Sequence, residues 1–307
     1  MIRWALLGMA MAVLVACGET KRDPAPERPD ILAPIAGMPE ARAWADASPS
    51  DLQARLEEIA AQRRAAGITN VIALAMSGGA DNGAFGAGIL NAWTARGDRP
   101  EFTVVTGVST GALTAPLAFL GPKHDADLRE LYGGLPTSDI IRRRSVFNIL
   151  PSASVVDTVP LKAIIDGFVT DAFLAEIAAE HARGRRLFVQ TTHMDAQRPV
   201  IWDMGAIAQS GAPGARDLFS DVLLASASVP VAFPPVLLRF EGREGPVSEM
   251  HADGGVVSQV TVAAGWQGAI HALSGDREDP LDLDELYIIF NGLIDPEPAE
   301  VEPRIAD

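Results

Sequence analysis

Cysteine is almost absent from this chain, and basic residues are scarce. Cys17 is the single cysteine among 307 residues, so no disulfide can form within the chain. A total of 40 acidic residues outnumber 25 lysines and arginines, which gives a formal net charge of −15. Because phosphate binding needs a basic surface, this balance argues against nucleic acid as a partner. It also argues against electrostatic attraction to anionic membranes.

Metal-ligand patterns and internal repeats are missing as well. The five histidines are scattered, with no His-x-x-x-His pair and no Cys/His cluster. No calcium-binding pattern is present either. We therefore expect a protein that works without a metal or another cofactor.

The apolar run from Trp4 to Val15 is too short to span a bilayer but has the length of a signal-peptide core. Ala16 follows it and leads into Cys17, and this end of the run resembles a bacterial lipobox. We expect residues 1–16 to be a lipoprotein signal peptide and Cys17 to be lipidated. The alternative is a plain secretory signal with an incidental cysteine. Gly18, in place of aspartate, favours an envelope protein of the outer membrane, facing the periplasm or the surface.

The rest of the chain predicts one folded domain with flexible ends. Residues 17–45 are rich in proline, alanine and charge, and we interpret them as a flexible tether behind the lipidated cysteine. Residues 46–295 are long enough for one well-buried domain. Residues 296–307 form an acidic, proline-rich tail. The composition does not predict an oligomeric state.

Apolar runs of strand length alternate with segments of helical spacing. The run Val71 to Met76 is continuously apolar, as expected for a strand covered on both faces, and a glycine-rich loop and a helix follow it. Phe102 to Thr106 begins a second unit of the same kind. Repeated strand–loop–helix units predict a three-layer α/β/α sandwich with a mostly parallel central sheet. Ligands of such sheets bind at the carboxyl ends of the strands.

The most informative motif is the Gly-x-Ser-x-Gly turn at the end of the second predicted strand. Ser109 lies between Gly107 and Gly111, directly after an apolar β-branched run. A sharp turn of this kind exposes a serine hydroxyl at the top of a sheet, and glycine leaves room for the strained backbone. The motif indicates acyl transfer through a covalent serine ester.

A second loop fits the needs of the same reaction. Gly78, Gly79, Ala80 and Gly83 follow the first strand and open a helix, where backbone N–H groups can face a developing negative charge. The loop lacks the lysine of a phosphate-binding fingerprint. Because adjacent parallel strands end at one edge of a sheet, we expect this loop near Ser109 as an oxyanion hole.

The third element is Asp253, followed by Gly254 and Gly255. The glycine loop, the Ser109 turn and this Asp-Gly-Gly segment, in this order, closely resemble the patatin-like phospholipase family. Two further segments, 203–208 and 223–235, match patterns of that family, so the resemblance covers roughly residues 70–292.

The resemblance implies a patatin-like catalytic domain that hydrolyses acyl esters of lipids. Ser109 would be the nucleophile, Asp253 the base that acts directly on it, and the glycine-loop amides the oxyanion hole. Two positions depart from the usual Gly-Gly-Gly-x-[Lys/Arg]-Gly pattern, because Ala80 replaces a glycine and Asn82 replaces the basic residue. An alanine held at positive φ would cost about 1 kcal/mol or more.

Two alternatives remain open at this stage. A Ser-His-Asp triad would combine Ser109 and Asp253 with His271 or His251. A lipid-binding lipoprotein that keeps the fold without catalysis would explain Ala80 and Asn82.

Overall fold

The computed structural model describes residues 22–133, 142–143, 156–242, 245–262 and 283–293. The strands in these ranges are β1 (Arg42–Trp44), β2 (Ile72–Met76), β3 (Val104–Val108), β4 (Arg142–Arg143), β5 (Val156–Asp157), β6 (Arg186–His193), β7 (Arg198–Asp203), β8 (Val236–Gly242), β9 (Gly245–Asp253) and β10 (Glu285–Ile289). The helices are α1 (Pro49–Ala66), α2 (Gly83–Arg96), α3 (Thr110–Leu120), α4 (Asp125–Gly133), α5 (Val159–Phe168), α6 (Asp171–Ala182), α7 (Met204–Gln209) and α8 (Ala215–Ser226). In those ranges no helix is both long and apolar enough to cross a membrane.

The main sheet has the order β1-β7-β6-β3-β2-β10. Strands β10, β2, β3 and β6 are parallel to one another, whereas β7 and β1 extend the sheet in antiparallel fashion. Helix α2 follows β2 after the glycine loop, and α3 follows β3 after the Ser109 turn, which is the alternation expected from the sequence. The predicted three-layer architecture with its largely parallel sheet core is confirmed.

Both faces of the sheet are buried, because side chains of each strand alternate between two layers. Phe188 and Ile201 pack against α1, which contributes Leu56 and its neighbours to the smaller apolar cluster. Val189 and Trp202, one position away on the same strands, face the larger cluster with most of the other helices. This arrangement explains why the predicted strands are apolar throughout rather than alternating.

Strand β6 changes partner part-way along its length. Val108, the last residue of β3, pairs with Gln190, whereas Asp253 at the end of β9 pairs with Thr191. Strand β9 therefore continues the line of β3 at the point where the chain turns away at Ser109. The ends of two strands that are distant in sequence meet beside one another on β6.

The predicted flexible tether (17–45) differs from the structure in the part that the structure describes. Ile35 and Met38 are buried in the main core, and β1 pairs with β7. Arg22 forms an ion pair of 2.5 Å with Asp195. Apolar side chains hold this proline-rich segment against the domain, so the folded part begins upstream of the predicted boundary at residue 46. The predicted signal peptide, Cys17 and the acidic tail lie outside the described residues.

A buried polar cluster joins β1 to β9. Arg42 donates two hydrogen bonds to Glu249, one of them 3.0 Å long. Burial by itself would raise the pKa of Glu249, but hydrogen bonds from His251 and Arg42 lower that pKa to about 2. His251 contacts Thr191 at 2.9 Å, and burial lowers its pKa to about 4. The cluster therefore holds one cation and one anion, with the histidine neutral at pH 7.

We expect Arg42→Met to lower the free energy of unfolding by roughly 3–5 kcal/mol, since it leaves the Glu249 carboxylate buried without its cation. Denaturant titration measures the loss. Arg28→Met is the matched control, because Arg28 pairs with Asp30 on the exposed surface and its removal should change stability little. Equal effects of the two substitutions would contradict a buried Arg42–Glu249 pair that stabilises the fold.

Candidate active site

Ser109 occupies a strained turn between β3 and α3. Its backbone has φ 56° and ψ −125°, a conformation that residues other than glycine rarely adopt. A Cβ atom at Gly107 would lie 2.5 Å from the carbonyl oxygen of Gly111, and one at Gly111 would overlap the carbonyl oxygen of Met76. Both flanking glycines are therefore required by the close approach of strand and helix.

The Asp253 carboxylate is buried and held on one side only. Its Oδ1 accepts a hydrogen bond of 2.6 Å from the N–H of Gly255, where a Cβ would lie 2.9 Å away. Its Oδ2 is buried without a hydrogen-bond partner of normal geometry in the described part of the chain. Burial raises the pKa of Asp253, and the Ser109 side chain and the Gly255 N–H act against this shift. The second oxygen is thus available to the serine.

The backbone of Asp253 is fixed from two directions. Its N–H donates to the carbonyl of Ser228 at 2.9 Å, and its own carbonyl accepts from the Thr192 hydroxyl at 2.9 Å. Gly254 lies against β6, because a Cβ there would be 2.5 Å from the carbonyl oxygen of Gln190. The Asp-Gly-Gly segment is therefore a fitted element of the site and not merely a turn.

Ser226 links the Ser109 turn to β6. Its hydroxyl accepts a hydrogen bond of 3.0 Å from the N–H of Ser109 and donates one of 2.7 Å to the carbonyl of Gln190. Ser226 is completely buried. Sequence reasoning assigned no role to this residue, although it lies in the segment 223–235 that resembles the family.

The glycine loop lies beside the serine, as the sequence predicted. A Cβ at Gly78 would be 3.1 Å from the Cβ of Ser109. The N–H of Gly78 already donates to the carbonyl of Gln259, and the N–H of Gly83 donates to carbonyls of the 3-10 turn Ala80–Asn82. Within the described ranges, the N–H groups of Gly79 and Ala80 have no such partner. Of the four residues predicted to form the oxyanion hole, Gly79 and Ala80 are therefore the two whose N–H groups are available to a substrate.

Ala80 has the positive φ that the sequence analysis associates with a cost in free energy. Its φ is +48°, so the third position of the loop is one where glycine would be unstrained. Gly79 has φ 152°, and a side chain there would overlap the carbonyl oxygen of Asn291. The loop therefore tolerates an alanine at position 80 but no side chain at position 79.

Asn291 clamps the glycine loop from the far side. Its N–H donates to the Ser77 hydroxyl at 2.7 Å, and its side-chain amide donates to the Ser77 carbonyl at 2.9 Å. Its Oδ1 accepts from the N–H of Gly86 at 3.1 Å. Sequence reasoning missed Asn291, because a single asparagine after the last strand carries no recognisable pattern.

The described histidines do not complete a triad. His251, one of the two candidates, directs its ring nitrogens to Thr191 and to Glu249. In the described ranges no histidine forms a hydrogen bond with Ser109 or Asp253. The other candidate, His271, lies outside the described residues.

One group of three side chains has the composition of a metal site. Donor atoms of His193, Glu249 and His251 lie within 4.8 Å of one another. Arg42 binds both oxygens of Glu249, and His251 uses one nitrogen to contact Thr191. A divalent cation would have to displace the guanidinium or lie beside it, so the donor set fits a structural polar cluster better than a metal centre.

The family model for patatin-like phospholipases matches residues 74–266, more than half of the chain. The chain belongs to the patatin-like phospholipase family. The match spans the glycine loop, the Ser109 turn and the Asp253 segment, so all three parts of the site lie within the patatin-like region.

Comparison of structures finds similarity to the crystal structure of VipD from Legionella pneumophila. The two chains share 15% sequence identity with a TM-score of 0.41, and the match covers 72% of this chain and 49% of VipD. The patatin-like chain therefore spans about half the length of that protein. No curated protein sequence matches it significantly.

We expect Ser226→Ala to lower the rate of ester hydrolysis at least about tenfold, because the Ser109 N–H loses its acceptor and the strained turn relaxes. The same change should reduce the free energy of unfolding by about 1–3 kcal/mol. Ser228→Ala is the matched control, since this equally buried serine donates to the Leu224 carbonyl of its own helix end. The measurement is the rate of ester hydrolysis at saturating substrate, compared between the two variants. Equal rates for both folded variants would remove Ser226 from the positioning of the nucleophile.

Proposed function

We propose that this chain is a serine acyl hydrolase that cleaves lipid esters with a Ser109–Asp253 dyad. The observation that carries the proposal is the arrangement of two groups. A serine held at positive φ faces a buried carboxylate whose second oxygen has no other partner in the described ranges. Backbone strain and an unsatisfied buried oxygen both cost free energy, and both are expected at a catalytic site.

In this mechanism the Ser109 Oγ attacks the ester carbonyl while its proton passes to Oδ2 of Asp253. The negative charge that forms on the substrate oxygen accepts hydrogen bonds from the N–H groups of Gly79 and Ala80. The first amides of α3 have no partner within the helix and add positive potential beside the serine. Collapse of the tetrahedral intermediate expels the alkoxide, which takes the proton from Asp253.

Hydrolysis of the acyl-serine ester repeats these steps with water. Asp253 accepts a proton from the attacking water, and the second tetrahedral intermediate releases the fatty acid and restores the Ser109 hydroxyl. A carboxylate of ordinary pKa is a weak base for a hydroxyl group. Burial of Asp253 raises its pKa and so narrows the difference that proton transfer must overcome.

The dyad predicts that Ser109→Ala abolishes both hydrolysis of p-nitrophenyl esters and labelling by a fluorophosphonate probe. Asp253→Asn should reduce the ester rate by about 10³-fold or more, since the amide keeps the shape of the side chain but cannot accept the proton. The Ser228→Ala variant is the control and should keep the wild-type rate, because the Ser228 hydroxyl donates to the Leu224 carbonyl and not to the dyad. Failure of the folded wild-type chain to react with the probe would favour the lipid-binding alternative.

The same assay gives a readout in pH. Asp253 must be ionised to act as a base, and burial raises its pKa above the ordinary value of 3.8. Activity is therefore expected above this raised pKa and should fall as the pH drops through it. A rate of ester hydrolysis that stays constant below pH 3.8, the ordinary pKa of an aspartate, would contradict a titrating aspartate.

Replacement of His271 by alanine tests the remaining Ser-His-Asp alternative. If His271 were the base of a triad, the rate of ester hydrolysis would fall by nearly 10⁴-fold.

We further propose that the substrate is an acyl ester whose head group need not be a phosphate. Asn82 stands where the family pattern has a basic residue, and Asp81 beside it is exposed. An acidic neighbour does not favour a phosphate at this end of the site, whereas the amide of Asn82 can still donate hydrogen bonds. Phospholipids, lysophospholipids and neutral esters form the assay panel.

We propose that Cys17 is lipidated and holds the chain at a bacterial envelope membrane, with the outer membrane as the expected site. Several acyl chains on one cysteine would anchor stably, since each buried methylene contributes about 0.8 kcal/mol. Cys17→Ser should move the chain from the membrane fraction to the soluble fraction and abolish incorporation of labelled palmitate. Unchanged incorporation in this variant would contradict the proposal.

A further inference from the structure

Exposed apolar side chains gather on the segments that build the active site. We call them the apolar rim, and they are Phe85, Val229, Val231, Val256, Val257 and Leu293, each between 39% and 76% exposed. Single exposed apolar residues are ordinary on protein surfaces, but a group around one site points to an interaction.

Part of the rim borders Asp253. Val229 directly follows Ser228, whose carbonyl binds the N–H of Asp253. Val256 directly follows Gly255, whose N–H binds the Asp253 carboxylate. These valines are therefore carried by the same short segments that position the base.

The other part of the rim borders the glycine loop. Phe85 lies in the first turn of α2, next to Gly86, whose N–H binds Asn291. Leu293 is two residues beyond Asn291, which clamps the loop through Ser77. The rim thus flanks the site on both the base side and the oxyanion side.

Val231 is held outward at a conformational cost. Its φ is +72°, which is a marked outlier for a β-branched residue, and its side chain is 76% exposed. Glycine or asparagine would adopt this backbone more easily. Packing within the chain does not offset the strain, because most of the side chain is in contact with solvent. Contact with a molecule or surface outside the chain would offset it.

The N-terminal end of the described chain lies on the same side of the sheet as Ser109. Arg22 pairs with Asp195, which follows the carboxyl end of β6, and also donates to the carbonyl of Ser248 at 2.7 Å. Strands β3 and β6 are parallel, so their carboxyl ends share this edge. The 21 residues that precede Arg22 therefore join the fold at the edge that carries the active site.

We infer that the apolar rim inserts into the surface of a lipid aggregate and brings the ester to Ser109. The inference rests on the proposed function and adds the physical form of the substrate, a lipid surface rather than a dissolved monomer. An uncharged, apolar contact suits a chain with a net charge of −15, which anionic surfaces repel. The occupant is thus a neutral lipid surface.

The position of the rim can be tested without catalysis, because the chain has one cysteine. In a full-length Cys17→Ser background, Val231→Cys and Leu283→Cys each provide a single attachment site for an environment-sensitive fluorophore. Leu283 is the control, since it is exposed but precedes β10 and lies at the opposite edge of the sheet. Phosphatidylcholine vesicles should shift the emission to shorter wavelength at position 231 and leave it unchanged at position 283.

The kinetic test compares p-nitrophenyl butyrate in solution with p-nitrophenyl palmitate carried in phosphatidylcholine vesicles. Val231→Asn should lower the rate of palmitate ester hydrolysis about tenfold, because the loss of one buried valine side chain weakens lipid binding by about that factor. The rate of butyrate ester hydrolysis should stay unchanged. Asparagine tolerates positive φ, so the melting temperature should not fall. Leu283→Asn should alter neither rate.

The outcomes separate the two proposals. No emission shift at position 231, or equal shifts at both positions, overturns the inference even if butyrate is hydrolysed normally. A shift confined to position 231 supports it. If that shift occurs while the wild-type chain hydrolyses neither ester, the apolar rim stands and the proposed function fails.

Discussion

The site depends on the change of partner along β6. Through Gln190 this strand pairs with β3, and from Thr191 onward it pairs with β9. A parallel strand that leads into the nucleophile turn is thereby replaced, within one residue, by an antiparallel strand that ends in the aspartate. The spacing between Ser109 and Asp253 follows from the hydrogen-bond register of these strands on β6. No loop has to bring them together.

Buried polar groups stabilise this junction and determine which side chains can occupy it. Gln190 accepts the Ser226 hydroxyl at its carbonyl and donates from its side chain to the Gly254 carbonyl at 2.9 Å, so it contacts both halves of the site. Farther along β9, Glu249 binds Arg42 of β1. Because a buried polar group without a partner costs free energy, a shift of β9 by one residue would break several bonds at once. The register is therefore strongly specified.

The strand–helix units were predictable because they are local. The apolar run before Ser109 and the helix after it are visible within about twenty residues, and the glycines at 107 and 111 mark the sharp turn between them. The pairing of β9 with β6 joins residues about sixty positions apart, and no periodicity indicates it. Asn291 was missed for the same reason, since its partners lie more than 200 positions away in sequence. The proline-rich segment before β1 was misinterpreted because its composition resembles a linker, although Ile35 and Met38 are buried.

Backbone strain separates function from folding in this molecule. Four non-glycine residues have positive φ in the described ranges, and of these only Gln197 lies in an ordinary hairpin turn, between β6 and β7. The other three, Ala80, Ser109 and Val231, lie in the glycine loop, the Ser109 turn and the loop between α8 and β8. Each costs on the order of 1–3 kcal/mol, which a fold selected for stability alone would remove by substituting glycine. At Ser109 the strain aims the hydroxyl, and at Val231 it holds an apolar side chain in solvent. Under the proposed function, the same physical cost marks both the nucleophile and the surface that would meet the lipid.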